Sequence, residues 1–365
     1  MCPIFSKLHR HFPKSKILQY AVSKTECEPK NDLTVFIEYA RENSLLLKVQ
    51  NPFEIWKLTK LIGIGAFGKI FRVENIYDGI EAAMKVINTD EYFDLDNLID
   101  EIEIMIKCRH KNICNFYDSF VYDSKIYIIM EFCEFGSLDS IMCKLNRNFN
   151  ENEIRFIVRQ VLEALVFLHE TAFVIHRDIK AANILLTKNG KIKLTDFGVS
   201  ANNWYLGQNK TKLAGSPYWI SPEMLSCKKE MFRTYNNKVD IWSLGITCIE
   251  LAEKVPPNNL LKPKDVMKKI YWDCNSPGFQ EPDTWSIEFQ DFVSQCLIKN
   301  PKKRLNASEL LEHSFIIKEK AKHSNFIRNN KIFDLFNSSC LTNNFNKTNN
   351  NDSSDTQGNG KLLEC

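Results

Sequence analysis

The residues with chemical potential in this sequence fall in a fixed order. His176-Arg177-Asp178-Ile-Lys180-Ala-Ala-Asn183 follows the apolar run Phe173-Val-Ile and precedes Ile-Leu-Leu, so a carboxylate and a carboxamide share a short loop held at both ends. Thirteen residues beyond Asn183, Thr195-Asp196-Phe197-Gly198 adds a second carboxylate after the strand-like Lys191-Ile-Lys-Leu. Upstream, Gly63-Ile-Gly65-Ala-Phe-Gly68-Lys-Ile70 lies between two β-rich runs, where glycines let backbone amides approach anionic oxygens. In Ala82-Ala83-Met-Lys85 a lysine sits within an apolar strand, where a cation is costly unless paired. Phosphate oxygens are one partner, and Glu101, in Asp-Glu-Ile-Glu-Ile-Met, is the best candidate for the other.

Together these groups suit phosphoryl transfer, which needs metal ions on the phosphates, a positioned hydroxyl and charge neutralisation rather than covalent help. Asn183 and Asp196 offer hard oxygens to Mg²⁺. Asp178 can accept or orient the proton of an acceptor hydroxyl, and Lys180 can steady the moving phosphate. Each motif alone has a plainer reading: a strand lysine snorkels to solvent, and an isolated His-Arg-Asp or Asp-Phe-Gly is a polar turn. Their order and spacing lift them above that. A dinucleotide fold would also use a glycine triplet, but there the loop opens a helix; here a strand follows.

The elements that must position these groups divide into two textures. From Phe53 to about Phe132 the sequence gives strand patterns over Leu58–Ile64, Lys69–Val73, Ala82–Ile87 and Ile126–Met130, with a helix near Leu95–Cys108 whose Leu98, Ile102, Met105 and Ile106 share one face. From Ser137 to about residue 318, helical patterns dominate, among them Glu153–Leu168, Val239–Ala252 and Ser286–Leu297. A sheet lobe followed by a helical lobe is an α+β outline. Residues 1–52 form an N-terminal extension whose one helical-looking stretch is Leu33–Leu47, and residues 319–365 are an Asn-rich tail whose composition predicts disorder.

Net charge is +3, with 48 basic against 45 acidic residues, which gives no footprint for nucleic acid. The longest apolar stretch, Ile241–Ala252, is about half a membrane span and carries Ser243 and Glu250, so it reads as a buried helix. The twelve cysteines form no CxxC pair or zinc spacing, and no secretory core or lipidation motif accompanies them, which together predict a cytoplasmic protein.

With these motifs in place, the sequence resembles the eukaryotic protein kinases. Asp-Phe-Gly-Val-Ser-Ala201, His-Arg-Asp-Ile-Lys-Ala-Ala-Asn and Gly-Ser-Pro-Tyr-Trp-Ile-Ser-Pro-Glu223 are similar to the sterile-20 group, and Asn51-Pro-Phe-Glu-Ile-Trp and Asp240-Ile-Trp-Ser-Leu-Gly to its sterile-20-like and lymphocyte-oriented subfamily. The resemblance covers roughly residues 51–318 and implies a bilobal fold, with a small β-rich N-lobe carrying one main helix and a larger helical C-lobe. It implies a serine/threonine kinase using ATP and Mg²⁺, or Mn²⁺ in its place, on protein substrates. ATP would contact Ile62, Gly63, Gly65, Gly68, Ile70, Ala83, Lys85, the gatekeeper Met130, Glu131, Cys133 and Leu185. Glu223 and Arg304 match a buried ion pair, Asp240 a brace under the catalytic loop, and Ser216 a hydroxyl touching Asp178 and Lys180. Arg177 matches a reader of activation-segment phosphate, yet Lys212 occupies the position of the usual phosphoacceptor and the nearest hydroxyl is Thr211. Activation therefore runs through Thr211 or without a phosphate there. Val199 implies a preference for threonine, and homodimerisation by exchange of activation segments is an arrangement seen in such kinases. A pseudokinase is the main competitor, disfavoured by the presence of Lys85, Asp178 and Asp196.

Overall fold

Strands rich in β-branched and aromatic residues build a six-stranded sheet, described here from a computed structural model that covers residues 32–42, 46–65, 68–88, 95–202, 214–229 and 235–317. Residues 1–31, the Asn-rich tail, Thr211 and Lys212 lie outside these. The strands are β1 (Lys48–Val49), β2 (Trp56–Gly65), β3 (Gly68–Asn75), β4 (Glu81–Asn88), β5 (Phe116–Tyr122) and β6 (Lys125–Glu131), in the order β1-β5-β6-β4-β3-β2. All neighbours are antiparallel except β1 on β5. Trp56, Val73, Ala82, Met84, Phe120, Tyr127 and Ile129 form a core on one face of the sheet.

Among the described residues, two helices accompany this sheet. Helix α2 (Leu95–Lys107) buries Leu98, Ile102 and Met105, as its spacing predicts, and α1 (Asp32–Glu42) packs against it. Within the helical pattern read over Leu33–Leu47 the described helix runs over Asp32–Glu42, and Lys48 and Val49 form a strand beside Phe120 and Val121. Strand β5 has no clean alternation, with Asp118 and Ser119 together in its middle, and it escapes the sequence reading.

The second lobe is helical: α3 (Leu138–Leu145), α4 (Glu151–Val166), α5 (Pro222–Lys229), α6 (Lys238–Glu253), α7 (Pro263–Trp272), α8 (Ile287–Cys296), α9 (Ala307–Leu311) and α10 (Ser314–Ile317). Helix α4 starts at a capping box, Asn150 and Glu153 each bonding the other's backbone N–H. Helix α6 is buried almost all round, from Val239 to Ala252, which fits its continuous apolar character. Short strands line the junction with the sheet lobe: β7 (Gly136–Ser137), β9 (Ile184–Leu186) and β10 (Ile192–Leu194) form one small sheet, and β8 (Val174–Ile175) pairs with β11 (Ala201–Asn202). Among the described residues, no helix is long and apolar enough to cross a membrane. The mixed α+β, two-lobed outline is the one the sequence predicts.

Candidate active site

Strand pairing brings the glycine hairpin over Lys85. β2 and β3 form the hairpin containing Gly63, Gly65 and Gly68, and β3 pairs Ile70 with Lys85 on β4. Gly68 has φ +141°, and a Cβ there would lie 1.9 Å from the Val86 carbonyl oxygen, so only glycine fits. Lys85 is buried, and its Nζ donates to Glu101 Oε1 at 2.6 Å, joining β4 to α2. The partner expected for a buried strand lysine is therefore the one present.

The remaining residues assigned to nucleotide contact lie on or just beyond β2, β3, β4, β6 and β9. Ala83 and Met130 face each other across β4 and β6, and both are buried, as is Cys133; Ile70 and Leu185 are half-buried and Ile62 exposed. Glu131 spends its N–H on the Asn115 carbonyl and its carboxylate on Lys193, at 2.8 Å, and on Asn115. Its carbonyl accepts from the weak Cys114 thiol at 3.4 Å, and the Cys133 N–H donates to no group among the described residues. That leaves an acceptor and a donor two residues apart, the pattern an adenine edge can match.

The loop from His176 to Asn183 is held from beneath. Asp240 Oδ1 accepts from Arg177 N at 2.7 Å, and Asp240 Oδ2 accepts from His176 N at 2.9 Å and lies 2.8 Å from His169 Nε2. Burial pushes the Asp240 carboxyl up, but His169 and these hydrogen bonds outweigh it and hold it below the usual range. Arg177 has φ +70° and Asp196 φ +67°, a backbone conformation that costs an L-residue about 1–2 kcal/mol and persists where surrounding bonds enforce it. For Arg177 the bond from Asp240 is one of them.

Asp178 is fixed on both oxygens. Its Oδ1 accepts from Ser216 N at 2.9 Å, and its Oδ2 from Asn183 Nδ2 at 2.9 Å and Lys180 Nζ at 2.8 Å. Burial raises its pKa, yet the Lys180 charge and the bonds from Lys180 and Ser216 bring it below the ordinary value, so it is a carboxylate at neutral pH. Lys180 also donates to Ser216 Oγ at 2.6 Å. Ser216 thus reaches Lys180 with its hydroxyl but Asp178 with its backbone N–H, which differs from the expectation that the hydroxyl touches both. Gly215 permits this approach: its φ is +91°, and a Cβ would stand 2.3 Å from the Arg177 carbonyl oxygen.

Asn183 and Asp196 fit a hard cation. The Asn183 amide nitrogen is tied to Asp178 O and Oδ2, which commits its carbonyl oxygen to be the free end. Asp196 makes no hydrogen bond or ion pair among the described residues. One carboxylate plus one carboxamide suits a cation that keeps several waters or phosphate oxygens, rather than a closed protein cage. No cluster of three acidic, His or Cys ligands occurs among the described residues.

Four residues outside the sequence-derived site contribute to it: Tyr235, Ser200, His169 and Glu250. Tyr235 OH accepts from Arg177 Nη1 and Ser200 O from Arg177 Nη2, both at 2.9 Å. His169 bonds Asp240 as above. Glu250, buried in α6, accepts from Ala181 N at 3.0 Å and Trp219 Nε1 at 3.1 Å, clamping the loop to the turn that follows Ser216. Burial raises Glu250 to about 7. A carboxyl raised in the folded state favours folding below its unfolded pKa, and that contribution is lost as pH climbs through about 7, at up to about 1.4 kcal/mol per pH unit. Glu250→Gln should therefore flatten the stability profile: its melting temperature relative to wild type rises between pH 5 and pH 8. A difference that stays constant across that range would show that Glu250 does not titrate there.

The predicted Glu223–Arg304 pair is present, with Nη1–Oε1 2.6 Å and Nη2–Oε2 3.1 Å.

Comparison with known proteins follows the same boundaries. A protein kinase domain model matches residues 56–316. The chain is 44% identical over 266 residues to serine/threonine-protein kinase 10 of Danio rerio, covering 73% of this chain and 27% of that protein. It is 42% identical over 277 residues to the Homo sapiens protein of that name, covering 76% and 28%. Against serine/threonine-protein kinase dst1 of Dictyostelium discoideum it is 38% identical over 266 residues, covering 73% and 35%. The chain thus matches about a third or less of the length of these relatives.

Proposed function

This chain belongs to the protein kinase family, and from that premise we propose that it is a serine/threonine kinase of the sterile-20 type, moving the γ-phosphoryl group of ATP to hydroxyls of other proteins in a signalling cascade. Membership implies use of ATP and a divalent metal; Mg²⁺, with Mn²⁺ able to replace it, is our specific assignment. The observation that carries the reading is the Lys180 ammonium bonded at once to Asp178 and Ser216. It sets a carboxylate and a cation side by side at the place an acceptor hydroxyl must enter.

In this reading the catalytic domain is residues 53–318, between the extension 1–52 and the tail 319–365. Glu131 and Cys133 hold the adenine by backbone groups, Lys85 meets phosphate oxygens with its angle set by Glu101, and the hairpin Gly63–Gly68 covers them. Asp178 orients the acceptor hydroxyl and takes its proton, while Lys180 steadies charge on the transferring group. Asn183 and Asp196 would hold the metal, which when bound supplies charge neutralisation at the phosphates. Asp240 braces the loop, and the Glu223–Arg304 pair anchors the segment after Ser216.

The decisive assay is transfer of labelled phosphate from ATP with Mg²⁺ to a basic protein substrate, comparing wild type with Asp196→Asn. Transfer by wild type and its loss in the variant is the expected result. ATP binding without transfer by wild type would instead make the chain a kinase-shaped binding protein.

Activation without a phosphate at Thr211 is the favoured regulatory reading. It is supported by Lys212 in the usual acceptor position and by the engagement of both terminal nitrogens of Arg177 with Tyr235 and Ser200. Thr211→Ala should then keep the wild-type rate, and a rate at least tenfold lower would assign the switch to Thr211. Val199 supports a preference for threonine, to be read from paired peptides differing only in the acceptor. A homodimer exchanging activation segments and a cytoplasmic location complete the proposal, testable by light scattering and by fractionation of cells.

A further inference from the structure

Residues 32–42 and 46–49 precede the stretch matched by the kinase domain model, yet both pieces are built into the sheet lobe. β1 extends the sheet in parallel to β5, covering a strand that would otherwise be its edge. Lys48 forms an ion pair with Asp118 and lies 5.5 Å from the centre of the Phe120 ring, and Ser119 Oγ donates to the Leu46 carbonyl. Leu46 is four positions beyond Glu42, the end of α1, so the anchored strand confines that end of the helix to within about 14 Å of the sheet edge.

From there α1 lies on α2, and Ala40 is only 1% exposed. Helix α2 shows the effect of cover on more than one side. Ile99 and Ile104 are both 0% exposed, although five residues place them about 140° apart around a helix. A helix laid on a single surface would leave one of them in water. The carboxylate that closes on Lys85 is carried by this same helix, between those two positions.

We propose that α1 and β1 form a built-in positioning clamp: β1 is pinned to the sheet and α1 braces α2, holding Glu101 against Lys85. The inference rests on the kinase reading above and deepens it, because it provides an ordered active site in a chain whose activation segment carries Lys212 in place of the usual acceptor. Ala40 acts through α2 and not on substrate, so it is a positioning residue. The clamp works by biasing an equilibrium: contacts made only when α2 is docked favour the docked state by their own free energy.

The test is a double-mutant cycle in the full chain, read as kcat/KM for ATP with a minimal peptide acceptor. Ala40→Glu should lower it roughly tenfold, while Ala40→Ser keeps the wild-type value. In a Glu101→Gln background, where the pair with Lys85 is already weakened, Ala40→Glu should change the residual rate by less than about twofold. Equal losses in both backgrounds, or no loss in the first, would overturn the clamp. Should Ala40→Glu fail to fold, Lys48→Asp loosens the strand at an exposed site and should show the same pattern at roughly threefold. Hydrogen exchange of residues 98–107 gives an answer independent of catalysis, with faster exchange expected in either variant and unchanged exchange counting against the proposal. If wild type transfers no phosphate, it is the kinase reading that fails, and the exchange data still decide the clamp.

Discussion

Asp178→Asn is expected to lower kcat by about 10²–10⁴-fold, the range associated with loss of a positioned proton acceptor, with little change in ATP affinity. The argument starts from the three donors around this carboxylate: Ser216 N on Oδ1, and Asn183 Nδ2 with Lys180 Nζ on Oδ2. An asparagine presents one oxygen and one NH₂ group. Turned one way, its NH₂ faces Ser216 N–H; turned the other, it faces Lys180 and Asn183. Either orientation sets donor against donor, so the variant loses the negative charge and one of its two anchoring arrangements together. Because the wild-type carboxyl is held below its ordinary pKa by Lys180 and Ser216 against the effect of burial, this charge is present throughout the neutral range. Single-turnover measurement with saturating ATP isolates the effect from binding, and a rate within threefold of wild type would remove Asp178 from the proposed mechanism.

The site was legible in the sequence where chemistry depends on local order. The loop from His176 to Asn183 and the turn at Asp196 are each set by a few consecutive residues, and the Lys85–Glu101 pair could be named because an apolar strand leaves a buried lysine few options. The support beneath the site was legible only in outline. Helix α6 reads as a buried apolar segment, but its polar residues Asp240, Ser243, Thr247 and Glu250 recur at three- and four-residue intervals, so they form one stripe. Each bonds the functional loops: Asp240 to His176 and Arg177, Ser243 to the Trp219 carbonyl, Thr247 to the Ile179 carbonyl, Glu250 to Ala181 and Trp219. The spacing was a usable signal, since a polar stripe in a fully buried helix must find partners. Tyr235 and β1 gave no such signal. Tyr235 meets Arg177 across 58 positions and β1 meets β5 across more than 70, and no local periodicity encodes pairings that the tertiary fold alone brings together.

Glu223→Ala should destabilise the helical lobe by about 3–5 kcal/mol, the usual consequence of removing one partner from a buried pair. Arg304 has a fully buried side chain, whereas that of Glu223 is 11% exposed. The guanidinium spends Nε on the Ile298 carbonyl at 2.9 Å and shares Nη1 with the Lys238 carbonyl at 2.6 Å, and it lies 5.2 Å from the Trp242 ring. Those carbonyls satisfy hydrogen-bonding directions but carry no net charge, so loss of Glu223 leaves a buried cation uncompensated. For a domain of this size the melting temperature should fall by roughly 10 °C. Replacing both members with methionine should recover most of the loss, because the cost lies in the unpaired charge rather than in a missing contact. The location makes the effect functional as well as structural: Glu223 lies in the first turn of α5, a few residues after the turn that carries Ser216, and Lys238, whose carbonyl shares Arg304, begins α6. Partial opening of this pair would loosen the turn before the lobe unfolds, so peptide KM should rise in Glu223→Ala at temperatures where the lobe is still folded. A variant melting within 2 °C of wild type, with unchanged KM, would show that Arg304 is adequately held by the backbone carbonyls alone.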